Sequence, residues 1–280
     1  MSNPISVSMA RTFHMNALVN NASGNFPHGR SNTYISRPFV SQLNIICSEL
    51  VELLSALSAY RRFRDSHTLN EIFRDIRDGV ADVIVTVDGM RHRMSIPPTE
   101  SVCLPDNGET LASYLSVTLP ALIDDLNIEH ETITGSLFCK IEDGEMSLIP
   151  GTSYDLVRFW PIAESWPFLD LCYTLAYSTA HHFGIPVEAD HEAVFKSNMS
   201  KFDLSLEDAD RTKARYEAQG VAVHIETVHA LDTQHSPATF YIVKSSKDQV
   251  VNGKDYPAGK FLKSINFKEP VFSPIPAPIL

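Results

Sequence analysis

Two stretches of this chain put carboxylates on a single helical stripe of otherwise apolar sequence, and no other feature restricts the fold as much. The first is Ser48-Glu49-Leu50-Val51-Glu52-Leu53-Leu54. The second is Asp75-Ile76-Arg77-Asp78-Gly79-Val80-Ala81-Asp82-Val83-Ile84. Glu49 and Glu52 are three apart and share a helix face. Asp75, Asp78 and Asp82 follow i, i+3, i+7, again one face. Burying an unpaired carboxylate is very costly. The stripes are therefore either solvated faces, as most acidic pairs on surface helices are, or a place where five acids converge on cations. Leu50, Val51, Leu53 and Leu54 surround the glutamates, and Ala81, Val83 and Ile84 surround Asp82, so few other polar residues break either run. Hard divalent ions with oxygen ligands, above all Mg²⁺, answer such a set. Metal sites in helical bundles are built from inward-facing acids on neighbouring helices in this way. Mg²⁺ with phosphate suits phosphoanhydride cleavage, because the ion neutralises phosphate charge and lowers the pKa of a bound water. A glutamate not fully committed to metal, Glu49 or Glu52, can take the water's proton.

The rest of the chain predicts a mainly α-helical body. Apolar residues at helical spacing predict a helix over 39–62, with Pro38 well placed at its start. A short helix and then loop precede it in 1–38. The second acidic helix spans 69–92, with Thr68 or Asn70 as cap. Its run 80–87 is β-branched and reads as a strand on propensity alone, but the aspartate spacing favours helix. Gly79 in its interior costs about 1 kcal/mol unless another backbone or a ligand approaches closely. Further helices are expected over 111–126, 166–183 (stopped by Gly184-Ile185-Pro186), 191–202 and 206–219, the last with Ser205 as N-cap and Gly220 as stop. Strands are expected over 221–228 and 239–244, with a third over 260–265, as a small β-appendage. A Pro-rich tail from 270 to 280 should lie extended. A weak internal echo links the end of the 75–97 stretch to that of 170–186, with 119–126 echoing the first acidic helix.

The net charge of −11 argues against nucleic-acid binding, because phosphate backbones select basic patches. It leaves room for a small phosphorylated ligand. No apolar run is long enough to span a bilayer, and the N-terminus lacks a charged-then-apolar signal pattern. Both predict a cytoplasmic protein with no membrane partner. Cys47, Cys103, Cys139 and Cys172 sit apart in apolar runs, as reduced, buried thiols do. His92, His181, His182 and His191 lack H-x-x-x-H spacing and read as surface or capping residues. No P-loop, G-x-G-x-x-G or G-x-S-x-G motif is present.

Phosphate also needs donors. The stretch Lys196-Ser197-Asn198-Met199-Ser200-Lys201 supplies two lysines, an amide and two hydroxyls, and Lys260-Phe261-Leu262-Lys263-Ser264-Ile265-Asn266 supplies a second such group. Lysine is a common point-charge partner of phosphate. Each group alone also reads as an ordinary solvated loop or helix cap.

Taken together, these motifs resemble the all-α nucleoside triphosphate pyrophosphohydrolases, which include the MazG-like proteins, the dimeric dUTPases and the phosphoribosyl-ATP pyrophosphohydrolases. The nearest likeness is to the MazG-like, phosphoribosyl-ATP pyrophosphohydrolase-like proteins of phages and bacteria. Ser48 to Leu53 looks like the family's E-x-x-E helix. Arg77 to Gly89 looks like its second acidic helix. Gly184-Ile185-Pro186 with Val194 to Phe202, and then Gly259-Lys260-Phe261-Leu262-Lys263-Ser264, look like its later segments. The resemblance covers most of 39–94 and 183–270. It implies an all-α NTP pyrophosphatase-like helical bundle that hydrolyses a nucleoside triphosphate between the α- and β-phosphates, giving a monophosphate and pyrophosphate. It implies Mg²⁺, with Mn²⁺ as an alternative, on Glu49, Glu52, Asp78 and Asp82, with Asp75 as a possible fifth ligand. It places Asn198, Lys201, Lys260 and Lys263 on phosphates, with Lys196 beside Lys201 in the same grip. A homodimer or higher homo-oligomer fits this picture. The chain departs from the commoner E-x-x-D second motif, because the residue three before Asp82 is Gly79. The organisation expected is an N-terminal extension over 1–38, a helical core over 39–202 and a C-terminal region over 203–280. Within the core, 93–167 is either an insertion or a degenerate second hairpin. A non-catalytic nucleotide-binding protein on the same scaffold is the alternative to the enzyme.

Overall fold

A computed structural model of the chain describes residues 4–24, 37–62, 66–93, 96, 139–142, 145–148 and 162–275. The described elements are α1 (Pro4–Ala22), α2 (Arg37–Arg62), α3 (Ser66–Arg93), β1 (Cys139–Glu142), β2 (Glu145–Leu148), α4 (Ile162–Phe183), α5 (Val187–Met199), α6 (Leu206–Ala218), β3 (Val223–Leu231), β4 (Pro237–Ser245), β5 (Gln249–Val251) and β6 (Lys254–Tyr256). The protein is mainly α-helical, as expected, with three two-stranded antiparallel sheets among the described residues. No described helix is long and apolar enough to cross a membrane. The expected helix over 111–126, and with it the echo at 119–126, lies outside the described residues.

The chain packs as two units. One takes Met1–Ala10, His28–Val187 and Pro274–Leu280, and the other takes Arg11–Pro27 and Glu188–Ser273. The division falls after Val187, where the sequence suggested one after 202, and the N-terminal segment is shared between the units.

In the first unit α2, α3 and α4 bury one core. Ile46, Leu50, Leu53, Leu57 and Tyr60 come from α2, and Ile76, Val80, Val83, Ile84, Val87 and Met90 from α3. The α4 helix adds Leu169, Cys172, Tyr173, Ala176 and Ala180. The β-branched run in α3 is helical because Val80, Val83, Ile84 and Val87 all bury on this face at 1 % exposure or less. Burial on one helical face outweighs β-propensity, which is a preference for a half-buried pleat rather than an intrinsic backbone rule. An aromatic trio closes one end, with Phe183 meeting Tyr60 edge-on at 5.2 Å and Phe73 at 5.9 Å. The α4 helix stops where expected. Gly184 takes φ 65°, and the Ile185 N–H donates back to the Ala180 carbonyl at 2.8 Å. Between α3 and α4 the described residues add the hairpin β1–β2, with Cys139 opposite Leu148.

In the second unit β3 and β4 pair from Val223↔Ser245 to Leu231↔Pro237. One face of the ribbon, carrying Val228, Phe240 and Ile242, packs on Met15, Leu18 and Ala22 of α1 and on Phe195, Met199 and Phe202. On the other face Val223 and Val243 join Val221, Tyr256 and Leu262. The expected N-cap of α6 is present, with Ser205 Oγ accepting from the Asp208 N–H at 3.1 Å. The expected third strand over 260–265 is not formed. Only Phe261 bridges to Lys244. The polar segment before it folds instead into the hairpin β5–β6, turned by Asn252 (φ 54°) and Gly253 (φ 75°). An Asn-Gly pair with positive φ at both residues is the favoured two-residue hairpin turn.

Candidate functional site

Three contacts set the geometry of the acidic stripes. A Cβ on Gly79 would stand 3.2 Å from both the Cα and the Cβ of Leu53. Gln42 Nε2 donates to the Thr86 carbonyl at 3.0 Å, and Arg93 donates to Gln42 Oε1 at 3.3 Å. These pairs run in opposite senses along the two helices, so α2 and α3 are antiparallel. Counting from them puts Glu49 level with Asp82, and Glu52 level with Asp78. Glycine at 79 is therefore a packing residue. It lets the two backbones meet, and any side chain there would press on the Leu53 backbone.

The acids do not share the buried stripe with the apolar residues. Asp75 and Glu52 are exposed, while Glu49, Asp78 and Asp82 are half-buried at the margin of the core. Among the described residues no group of three or more His, Cys, Asp or Glu side chains stands close enough together to hold a metal ion. The structure thus brings Glu49, Glu52, Asp78 and Asp82 to two adjacent levels of one helix pair, with Asp75 further on, without closing them around a point.

The deeply buried charges of this unit are Arg77, 4 % exposed beside the stripe, and two residues further along α3. Asp88 and Arg91 on α3 are 0 % and 2 % exposed. Arg91 donates to Asp170 of α4 and lies 5.4 Å from the centre of the Tyr173 ring. Burial pulls the Arg91 guanidinium below its ordinary value, and Asp170 and then Asp88 oppose that shift. Asp88 interrupts the apolar run of α3, which is the one sign of this arrangement in the sequence.

The expected phosphate donors all belong to the second unit. Its two donor groups do adjoin, because the Ser264 N–H donates to the Lys201 carbonyl at 3.1 Å. Their side chains have other partners. Lys201 donates to Asn198 Oδ1, Lys196 pairs with Glu192 at 2.8 Å, and Lys263 reaches Glu269 at 3.3 Å. Lys263 also stands 4.0 Å above the Phe267 ring. Lys260 is exposed.

Beneath them lies a buried knot that the sequence reading missed. Asp203 accepts from Thr212 Oγ1 at 2.9 Å and from Ser264 Oγ, and all three residues are at most 2 % exposed. Burial pushes the Asp203 carboxyl up, and the two hydroxyls hold it back. The histidines divide. His181 is exposed, as expected, but His191 is 0 % exposed. Burial drives the His191 imidazole down to about 4, against a smaller opposing effect of the Thr12 backbone. It is a neutral core residue, not a surface or capping one. Its i−4 and i+3 positions, Val187 and Val194, carry the apolar spacing that could have revealed this.

Compared with protein-family models, with curated proteins and with solved structures, the chain matches none. The likeness to the all-α pyrophosphohydrolases therefore rests on the motifs quoted above.

Proposed function

We propose that the α2–α3 seam binds and hydrolyses a nucleoside triphosphate between its α- and β-phosphates, for control of a nucleotide pool. The observation that carries this reading is the pairing of levels, Glu49 with Asp82 and Glu52 with Asp78, across two antiparallel helices packed at Gly79. Mg²⁺ is bound through one or two carboxylates with phosphates and water supplying the rest, so it does not need a closed cage of protein ligands. The donor set fits a hard cation by its chemistry, and Glu49, Glu52, Asp78 and Asp82 would hold it, with Asp75 alongside. An ion there would neutralise phosphate charge and ease proton loss from water. Of the two glutamates Glu52 is exposed and Glu49 half-buried, so Glu52 is the one placed to take that proton, with half-buried Asp78 and Asp82 as ligands. Lys196, Asn198, Lys201, Lys260 and Lys263, which the resemblance assigns to phosphate, belong to the second unit, and this reading of the seam does not depend on them. Release of pyrophosphate from common NTPs and dNTPs with Mg²⁺, lost in both Glu49→Gln and Asp82→Asn, tests the proposal. Turnover retained in both variants would sink the assignment.

A second reading has an observation of its own. Gly79, where an acid is usual in the family the chain resembles, is held by packing against Leu53, and the described acids are not gathered into a three-ligand group. A nucleotide-binding protein without turnover fits this equally. Nucleotide binding with no pyrophosphate from any substrate would select it.

A further inference from the structure

The acidic seam ends in a cation. From Asp82 the same helical stripe of α3 passes through Thr86 and Gly89 to Arg93, about three turns and roughly 16 Å along the axis. On α2 the stripe carrying Glu52 and Glu49 passes back to Gln42, the residue that touches both Thr86 and Arg93. Arg93 differs from two other enclosed cations. Arg91 has Asp170, and Lys244 has Glu226 at 2.7 Å. Arg93 is half-buried, and its only hydrogen bond among the described residues is to the neutral Oε1 of Gln42. Burial lowers its pKa with no acid opposing the shift. Because Gln42 spends its N–H on the Thr86 carbonyl, its oxygen is fixed toward Arg93 and holds one edge of the guanidinium. Among the described residues, the rest of the five-donor fork is left to be filled. The chain has a net charge of −11, yet among the described residues no carboxylate pairs with Arg93. The last turn of α3 favours positive charge through the helix dipole, which explains a cation at the helix end but not an enclosed one with an open fork.

We infer that Arg93, held by Gln42, is an anion subsite at the far end of the acidic seam and takes a phosphate-class oxyanion, in the bidentate manner that suits guanidinium. The choice of phosphate rests on the nucleotide reading above, whereas the unfilled fork does not. The oxyanion is either the pyrophosphate released or the phosphate of the monophosphate product.

The full chain, kept metal-free with chelator, is titrated calorimetrically with pyrophosphate and, separately, with AMP. Binding of one or both is expected to weaken at least about tenfold in Arg93→Gln, with Arg93→Lys between the two because it keeps the charge and loses the fork. Gln42→Glu is expected to lose binding as well, since its carboxylate would fill the guanidinium from within. The probe whose binding depends on Arg93 identifies the source of the oxyanion. Equal binding by the wild type and both Arg93→Gln and Gln42→Glu, or no binding of either probe, would overturn the inference. Arg93-dependent binding in a protein that releases no pyrophosphate would remove only the hydrolase reading. Normal hydrolysis with Arg93-independent binding would remove only this one.

Discussion

The two units place their acids differently. In the second, a buried acid sits at the centre of a closed network. Asp203 takes two hydroxyls, Thr212 Oγ1 goes on to accept from the Ile265 N–H at 3.0 Å, and Ser264 Oγ accepts from the Asn266 N–H at 2.9 Å. Such a network fixes one arrangement of the backbone, because each member left alone would cost the full desolvation of a buried group. In the first unit the carboxylates of α2 and α3 line the margin of a helix pair, and the half-buried Arg93 donates to the Gln42 amide. A closed knot serves the fold, whereas acids on an accessible margin stand where a ligand can reach them. The functional reading is therefore placed on the acids of α2 and α3, and the lysines of the second unit are secondary to it.

That contrast can be broken at its hardest point first. Gly79→Glu would supply the acid usual in the resembling family, yet it forces a charged side chain against the Leu53 backbone. We expect about 4 kcal/mol or more of lost stability, read as a lower midpoint in denaturant unfolding, and no gain in metal affinity. A stable variant with tighter Mg²⁺ binding would mean that packing does not dictate the glycine. Asp203→Ala should cost roughly 3 kcal/mol by stranding two buried hydroxyls, with no direct effect on the seam. An unchanged unfolding curve would deny the knot its role.

His191 gives a pH arm to the comparison. Its folded pKa of about 4 lies below the unfolded value near 6.5. The unfolded chain thus takes up the proton first, and stability falls as pH drops through that window. The loss approaches roughly 2–3 kcal/mol near pH 4. Asp203 works in the opposite sense, since its raised pKa favours the folded state as acid is added. The difference between wild type and His191→Gln isolates the histidine, and it should shrink steadily between pH 6.5 and pH 4. A constant difference would contradict the burial argument. Smallest of all is Lys196→Ala, which removes an exposed i, i+4 pair with Glu192 and should change stability by less than about 0.5 kcal/mol. A larger loss of stability would contradict the weakness expected of an exposed pair.

Much of the fold was legible because it followed from repeating patterns. Apolar spacing marked α2, α3 and α4, and Gly184 and the Ser205 cap marked ends. The β5–β6 hairpin was written in Asn252-Gly253 and was read only as a turn. The strand expected over 260–265 failed because β4 is held there by one bridge at Phe261, while Ser264 turns inward to Asp203. The acids were legible as stripes but not by depth, since a stripe's position relative to the core depends on where the partner helix crosses. Asp88, Arg91 and His191 were missed because each is made tolerable by residues distant in sequence or by neutrality, and spacing records neither.

The central claim is that the acids of α2 and α3 form the working site. Pyrophosphate release with Mg²⁺, followed in wild type, Glu49→Gln and Asp82→Asn while circular dichroism checks the helices, tests it most directly. The account predicts release by the wild type and none above background in either variant, with helical content unchanged. Equal release by all three proteins would contradict it.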